Sequence, residues 1–183
     1  MNLVNHFLIA MPSLADPNFR RTVTFVCAHG EDGAMGIVIN RPLDIDLGEV
    51  FDQMSITGGS DEVRARPVLQ GGPVQRERGF VLHEPLGAWE SVLPVTPEVG
   101  VATSRDILAA IAAGEGPRSA LVALGYAGWG AGQLEREMVE NAWLSGPADR
   151  ELIFEVPFEA RWESAVRRLG IDLDKLSAQA GHA

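Results

Sequence analysis

The stretch Thr22-Val-Thr-Phe-Val-Cys-Ala-His-Gly-Glu-Asp-Gly-Ala-Met-Gly-Ile-Val-Ile-Asn40 decides the fold class. Residues 22–28 and 36–40 are rich in Val, Ile, Thr and Phe, which pack well on a pleated surface. A Gly-containing turn at residues 30–33 separates them, so the two runs read as the strands of one hairpin. Several such runs lack clean apolar–polar alternation, the pattern of strands covered on both faces.

Outward from this hairpin, further short apolar runs punctuated by Gly, Pro or Asp predict strands at residues 6–11, 68–70, 79–83, 91–94, 99–102, 119–125 and 152–156. Helices are fewer. Asp46 caps a segment 47–54 whose Leu47, Val50, Phe51 and Met54 share one face. Thr103 and Asp106 form a capping-box pattern that opens residues 104–113, with Gly114 at the end. Residues 133–144 set Leu134, Met138, Ala142 and Trp143 on one side. Residues 157–169 do the same with Trp162, Ala165, Val166 and Leu169, closed by Gly170. A short last helix runs from Asp172 through Ala178, and the Gly-rich, charged segment 55–66 reads as a mobile loop. Strands in hairpins with irregularly inserted helices predict an α+β fold with a mixed sheet, in one domain over residues 1–183.

Composition narrows the function classes. Fifteen basic against twenty-five acidic residues give a net charge of −10, and no basic stripe exists. The densest cluster, Arg64, Arg66, Arg76 and Arg78, is interrupted by Glu62 and Glu77, so direct nucleic-acid binding is not expected. One cysteine removes a disulfide framework and a thiolate-based zinc site. The four histidines are scattered without a His-x-x-x-His pair, and no Gly-x-Ser-x-Gly elbow exists, so neither a metal site nor a hydrolase elbow is expected. No cofactor is implied. The absence of a basic n-region and of a long apolar span predicts a cytoplasmic protein with no membrane partner.

Four places carry possible chemistry. Cys27 and His29 are two apart on a strand, hence on one face, where an imidazole could activate a thiol as nucleophile or oxidation sensor; the alternative is a thiol packed inertly in the core. Arg41 follows a strand and could clamp an anion, or pair with a nearby carboxylate such as Asp44 or Asp46. Gly71-Gly72 allows close backbone approach or a plain turn. Gly128 and Gly130 match the first two glycines of a dinucleotide loop between a strand and a helix, but Gln133 stands where the last is required. The alternative is a tight turn with Trp129 in the core. Cys27 and His29 are therefore the candidate catalytic pair, with Arg41, Gly71, Gly72, Gly128 and Gly130 as candidate ligand-binding positions.

Seven ordered blocks resemble one bacterial family: Phe7-Leu-Ile-Ala-Met-Pro12, Gly33-Ala-Met-Gly-Ile-Val-Ile-Asn-Arg-Pro42, Gly71-Gly-Pro-Val74, Arg78-Gly-Phe-Val-Leu-His83, Leu124-Gly-Tyr-Ala-Gly-Trp129, Gly132-Gln-Leu-Glu135 and Asn141-Ala-Trp-Leu144. They are similar to the YqgE/AlgH family. The resemblance implies a compact α+β domain whose sheet bends into a pseudo-barrel with helices outside. It carries over no catalytic residues, although some members bear the label of transcriptional regulator. The residues together favour a non-catalytic regulatory domain that binds a small molecule or a protein. A thiol-dependent enzyme or redox sensor ranks second, and a DNA-binding regulator third.

Overall fold

A computed structural model describes residues 1–172 and Lys175. In chain order its strands are β1 (His6–Ala10), β2 (Val23–Gly30), β3 (Gly33–Val38), β4 (Pro42–Asp46), β5 (Pro67–Gln70), β6 (Val74–Glu84), β7 (Val92–Pro94), β8 (Gly100–Ala102), β9 (Ser119–Trp129) and β10 (Trp143–Pro147). The helices are α1 (Leu47–Gln53), α2 (Asp61–Arg64), α3 (Arg105–Ala112), α4 (Gln133–Val139), α5 (Arg150–Phe154) and α6 (Arg161–Arg168). The strands form one sheet in the order β10-β1-β2-β3-β9-β6-β8-β7, with β4 on β5 and β5 on β9. Every pairing is antiparallel except β5 with β9. The sheet curls into a half-barrel, so the α+β expectation holds.

The predicted hairpin is β2 with β3, closed where Gly30 faces Gly33. Its lack of alternation has the expected cause. Val23, Phe25, Ile37 and Ile39 pack on one face against Trp162, Ala165 and Val166 of α6 and Leu152 of α5. Val26 points to the other face, among Leu8, Trp129, Leu134 and Trp143. Farther along that second face, Val68, Val81 and Val122 pack under α1 and α3. Both faces are apolar because helices cover both. The Asp46 cap is a complete capping box with Glu49.

Four elements differ from the sequence expectation. The helix begun at Gln133 stops at Val139, and Asn141 takes a φ of 60° that turns the chain back. Trp143 and Leu144 then enter β10 on the edge of β1, not a continued helix. Residues 152–156 are not a strand, because Asp149 accepts a hydrogen bond from Leu152 N–H and starts α5. The segment 55–66 contains α2, capped by Ser60. Residues 42–46, polar and opened by a proline, form β4 at the sheet's margin. The helix expected through Ala178 lies outside the described residues.

Candidate functional site

The candidate catalytic pair is divided by a bulge. Val26 faces Gly36 and Ala28 faces Met35, so Cys27 is an extra residue with no partner on β3. An inserted residue shifts the side-chain parity beyond it. Cys27 stays on the face of Phe25 and Ile37. His29 pairs with Ala34, which packs with Leu3 and Leu134 on the opposite face. The expectation that Cys27 and His29 share one face is therefore corrected. Cys27 is 2% exposed, its Sγ lies 3.5 Å from the Phe25 carbonyl oxygen, and burial pushes its thiol well above the usual range. Such a thiol is protonated at neutral pH. His29 Nδ1 accepts the Leu3 N–H at 3.0 Å, so its Nε2–H donates to Glu135 of α4. That bond holds the Glu135 carboxyl below its ordinary value. His29 thus pins the N-terminal segment and α4 to the hairpin.

Arg41 stands at the other end of the strand pair. Its guanidinium donates to the carbonyls of Pro17, Asn18 and Arg20 at 2.7–2.8 Å, so it fastens the loop between β1 and β2. Gly71 and Gly72 serve a backbone crossing. A Cβ on Gly71 would lie 2.3 Å from the Gly125 carbonyl oxygen, and one on Gly72 would lie 2.1 Å from the Tyr126 carbonyl carbon. Gly130 N–H donates to Gln133 Oε1 at 2.9 Å and ties the turn that opens α4. Trp129 is buried, as the tight-turn alternative required. Gly128 lines a shallow concavity with Met35, Arg78 and Tyr126. Among the described residues no group of His, Cys, Asp and Glu is placed to hold a metal ion, and no helix is long and apolar enough to cross a membrane.

The feature that sequence reading missed is one edge of β9. Along it, Ala127–Trp129 pair with β3, while Ala123 and Leu124 pair with Leu69 and Gln70 of β5. Among the described residues no strand pairs with residues 119–122 on that side, although their other side pairs with β6. β5 diverges here because its first residue, Pro67, has no N–H to give. The gap is a groove of about 290 Å³ whose floor is four consecutive β9 residues, Ser119 to Val122. Consecutive lining residues mean that the strand presents its backbone edge. Leu47 and Ile111 form one wall and Phe154 and Phe158 the other, with Arg66, Arg118 and Glu155 at the mouth. Arg118 and Glu155 have partners, Glu84 at 3.2 Å and Arg150 at 3.4 Å. Arg66 is exposed and makes no side-chain hydrogen bond or ion pair among the described residues. Its place in the Arg64–Arg66 cluster was the only sequence signal for this site.

Comparison with known proteins gives a consistent result. The model of a family described as AlgH-like matches residues 7–174. A UPF0301 protein of Nitrosococcus oceani is 57% identical over 98% of this chain and 96% of its own length. Another, from Thioalkalivibrio sulfidiphilus, is 57% identical over 100% of this chain and 97% of its own. The solution structure of the AlgH protein from Pseudomonas aeruginosa has a TM-score of 0.83 at 50% identity, covering 100% of this chain and 97% of that one. A crystal structure from Corynebacterium diphtheriae, 19% identical with a TM-score of 0.68, shares the fold over 90% of this chain and 85% of that one.

Proposed function

The chain belongs to the AlgH-like family, and on that footing we propose that it is a non-catalytic binding domain whose partner seats in the groove along β9. The observation that carries this reading is the uncommitted Arg66 at the mouth of a groove with apolar walls and an open, polar backbone floor. Ligand sites are concave and combine apolar walls with convergent polar groups; here Leu47, Ile111, Phe154 and Phe158 supply the walls, and Arg66 with the β9 backbone edge supplies polar groups in about equal measure. The thiol, imidazole and guanidinium that could have formed a reactive centre are each spent on internal contacts. Any regulatory effect then passes through the bound partner, in keeping with a net charge of −10 that repels nucleic-acid phosphates.

Selection of a random peptide library on the immobilised full chain tests this, followed by amide chemical-shift mapping of an enriched peptide. Shifts are expected at Arg66, at residues 118–122 and at residues 154–158. Failure to enrich any peptide, or shifts centred on another surface, sinks the reading.

A further inference from the structure

The groove's floor specifies how a partner would be held. The geometry points to strand addition: an extended peptide segment carrying acidic side chains pairs with the open edge of β9 and places a carboxylate on Arg66. This inference rests on the binding reading and names its mode and its chemistry.

Gly71 N–H donates to the Leu124 carbonyl at 2.8 Å, which fixes the side to which Leu124 turns its backbone groups. Alternation along a strand turns those of Val122 and Ala120 the same way. Residues 119, 121 and 123 turn theirs to β6, opposite Glu84, Leu82 and Phe80. The β5 ladder ends at Leu69 opposite Ala123. The Ala120 N–H and C=O and the Val122 N–H therefore face the groove, and no described backbone or side-chain bond outside the ladders reaches them. Unpaired strand edges are templates for another chain, and main-chain bonds supply affinity when a peptide adds to one.

Dimension and charge then choose the occupant. The open edge spans four residues, about 13 Å at ~3.3 Å each, so it takes a short extended segment and not a helix. The walls come from both cores, Leu47 and Ile111 on one side and Phe154 and Phe158 on the other, so alternate apolar side chains have a surface to cover. At the mouth two arginines face one glutamate, and Glu155 is already engaged by Arg150. An acidic side chain gains a free guanidinium in Arg66, whereas a basic one meets like charge. A small organic anion would use Arg66 but would leave the Ala120 and Val122 groups unpaired, so the backbone edge favours a peptide.

The test uses the full chain, isotopically labelled, with the capped peptides Ac-Val-Glu-Val-Glu-Val-NH2 and Ac-Val-Lys-Val-Lys-Val-NH2. The acidic peptide is expected to slow hydrogen exchange of the Ala120 and Val122 amides and to bind at least about tenfold more tightly than the basic one. Backbone N-methylation at alternate residues of the acidic peptide should abolish both effects, and Arg66→Glu should reverse the preference between the two peptides. If the acidic peptide shifts the groove walls but its N-methylated form binds equally well, or the two amides stay unprotected, strand addition is overturned while the binding reading stands. If neither peptide reaches the groove but library selection delivers a ligand that does, the acidic-strand chemistry is wrong and the groove is not. If nothing reaches the groove, both fail.

Discussion

The buried guanidinium of Arg161 donates to the backbone carbonyl of Ile39 at 2.7 Å, across 122 positions of sequence. The same side chain donates to the Val156 carbonyl at 2.8 Å and lies 4.4 Å from the ring centre of Phe158, and among the described residues no carboxylate pairs with it. Burial lowers its pKa to about 10. Two carbonyls and an aromatic face thus hold a charge that is only 1% exposed.

Arg161→Ala is expected to destabilise the fold by about 3 kcal/mol or more, because the buried Ile39 carbonyl and the part-buried Val156 carbonyl lose their donor and a cavity opens. Arg161→Lys keeps the charge but cannot span both carbonyls with the same fork, so it recovers only part of the loss. Urea unfolding midpoints of the three proteins check this; an alanine variant as stable as the parent would contradict it.

Cys27 is expected to react with iodoacetamide only when the chain opens. Native labelling should follow the unfolding equilibrium and show no inflection below the ~8.5 of a free thiol. Cys27→Ser places a hydroxyl among Phe25 and Ile37 and should cost about 1–2 kcal/mol. Fast labelling of the folded chain at neutral pH would restore a reactive role.

The crossing of β9 by the turn between β5 and β6 predicts a contrast between glycines. Gly72→Ala drives a methyl into the Tyr126 backbone and should cost about 3 kcal/mol or more. Gly30→Ala meets nothing within 4 Å and should stay within about 0.5 kcal/mol of the parent. Thermal midpoints measured side by side decide it.

Glu84 sets part of the acid limit. Its carboxyl accepts from Arg150 at 2.8 Å and from Arg118 at 3.2 Å, and these partners hold it below the usual carboxylate range. A depressed folded pKa adds stability that is present above the unfolded value of ~4.3 and is lost as pH falls through the folded value. Glu84→Gln should be less stable at neutral pH and should lose less on acidification. Unfolding measured from neutral pH down to about 3 reads the two slopes, and parallel curves would contradict the assignment.

The hairpin of β2 and β3 was legible because its signal is local: two runs of β-formers and a Gly turn between them. The bulge at Cys27 was not, since nothing in the residue order distinguishes a regular strand from one with an unpaired member, and the Cys27–His29 pairing failed on that point. Residues 133–144 keep a helical spacing of apolar side chains, yet from a strand Trp143 meets Phe19 and Trp129 edge-to-face. The groove was invisible because it arises from where β5 leaves β9, a relation between segments some fifty positions apart. Nothing in the residue order singles out Arg161, since its partners Ile39 and Val156 offer only backbone.

β9 is the neighbour of β3, β5 and β6 at once, and all three precede it in the chain. During synthesis those strands leave the ribosome first and must wait for residues 119–129 before their facing edges are covered. A nascent chain ending short of residue 119 therefore carries three uncovered strand edges together, the condition in which a folding intermediate is most exposed to aggregation and to chaperone capture. Covering those three edges falls on a single late segment of eleven residues.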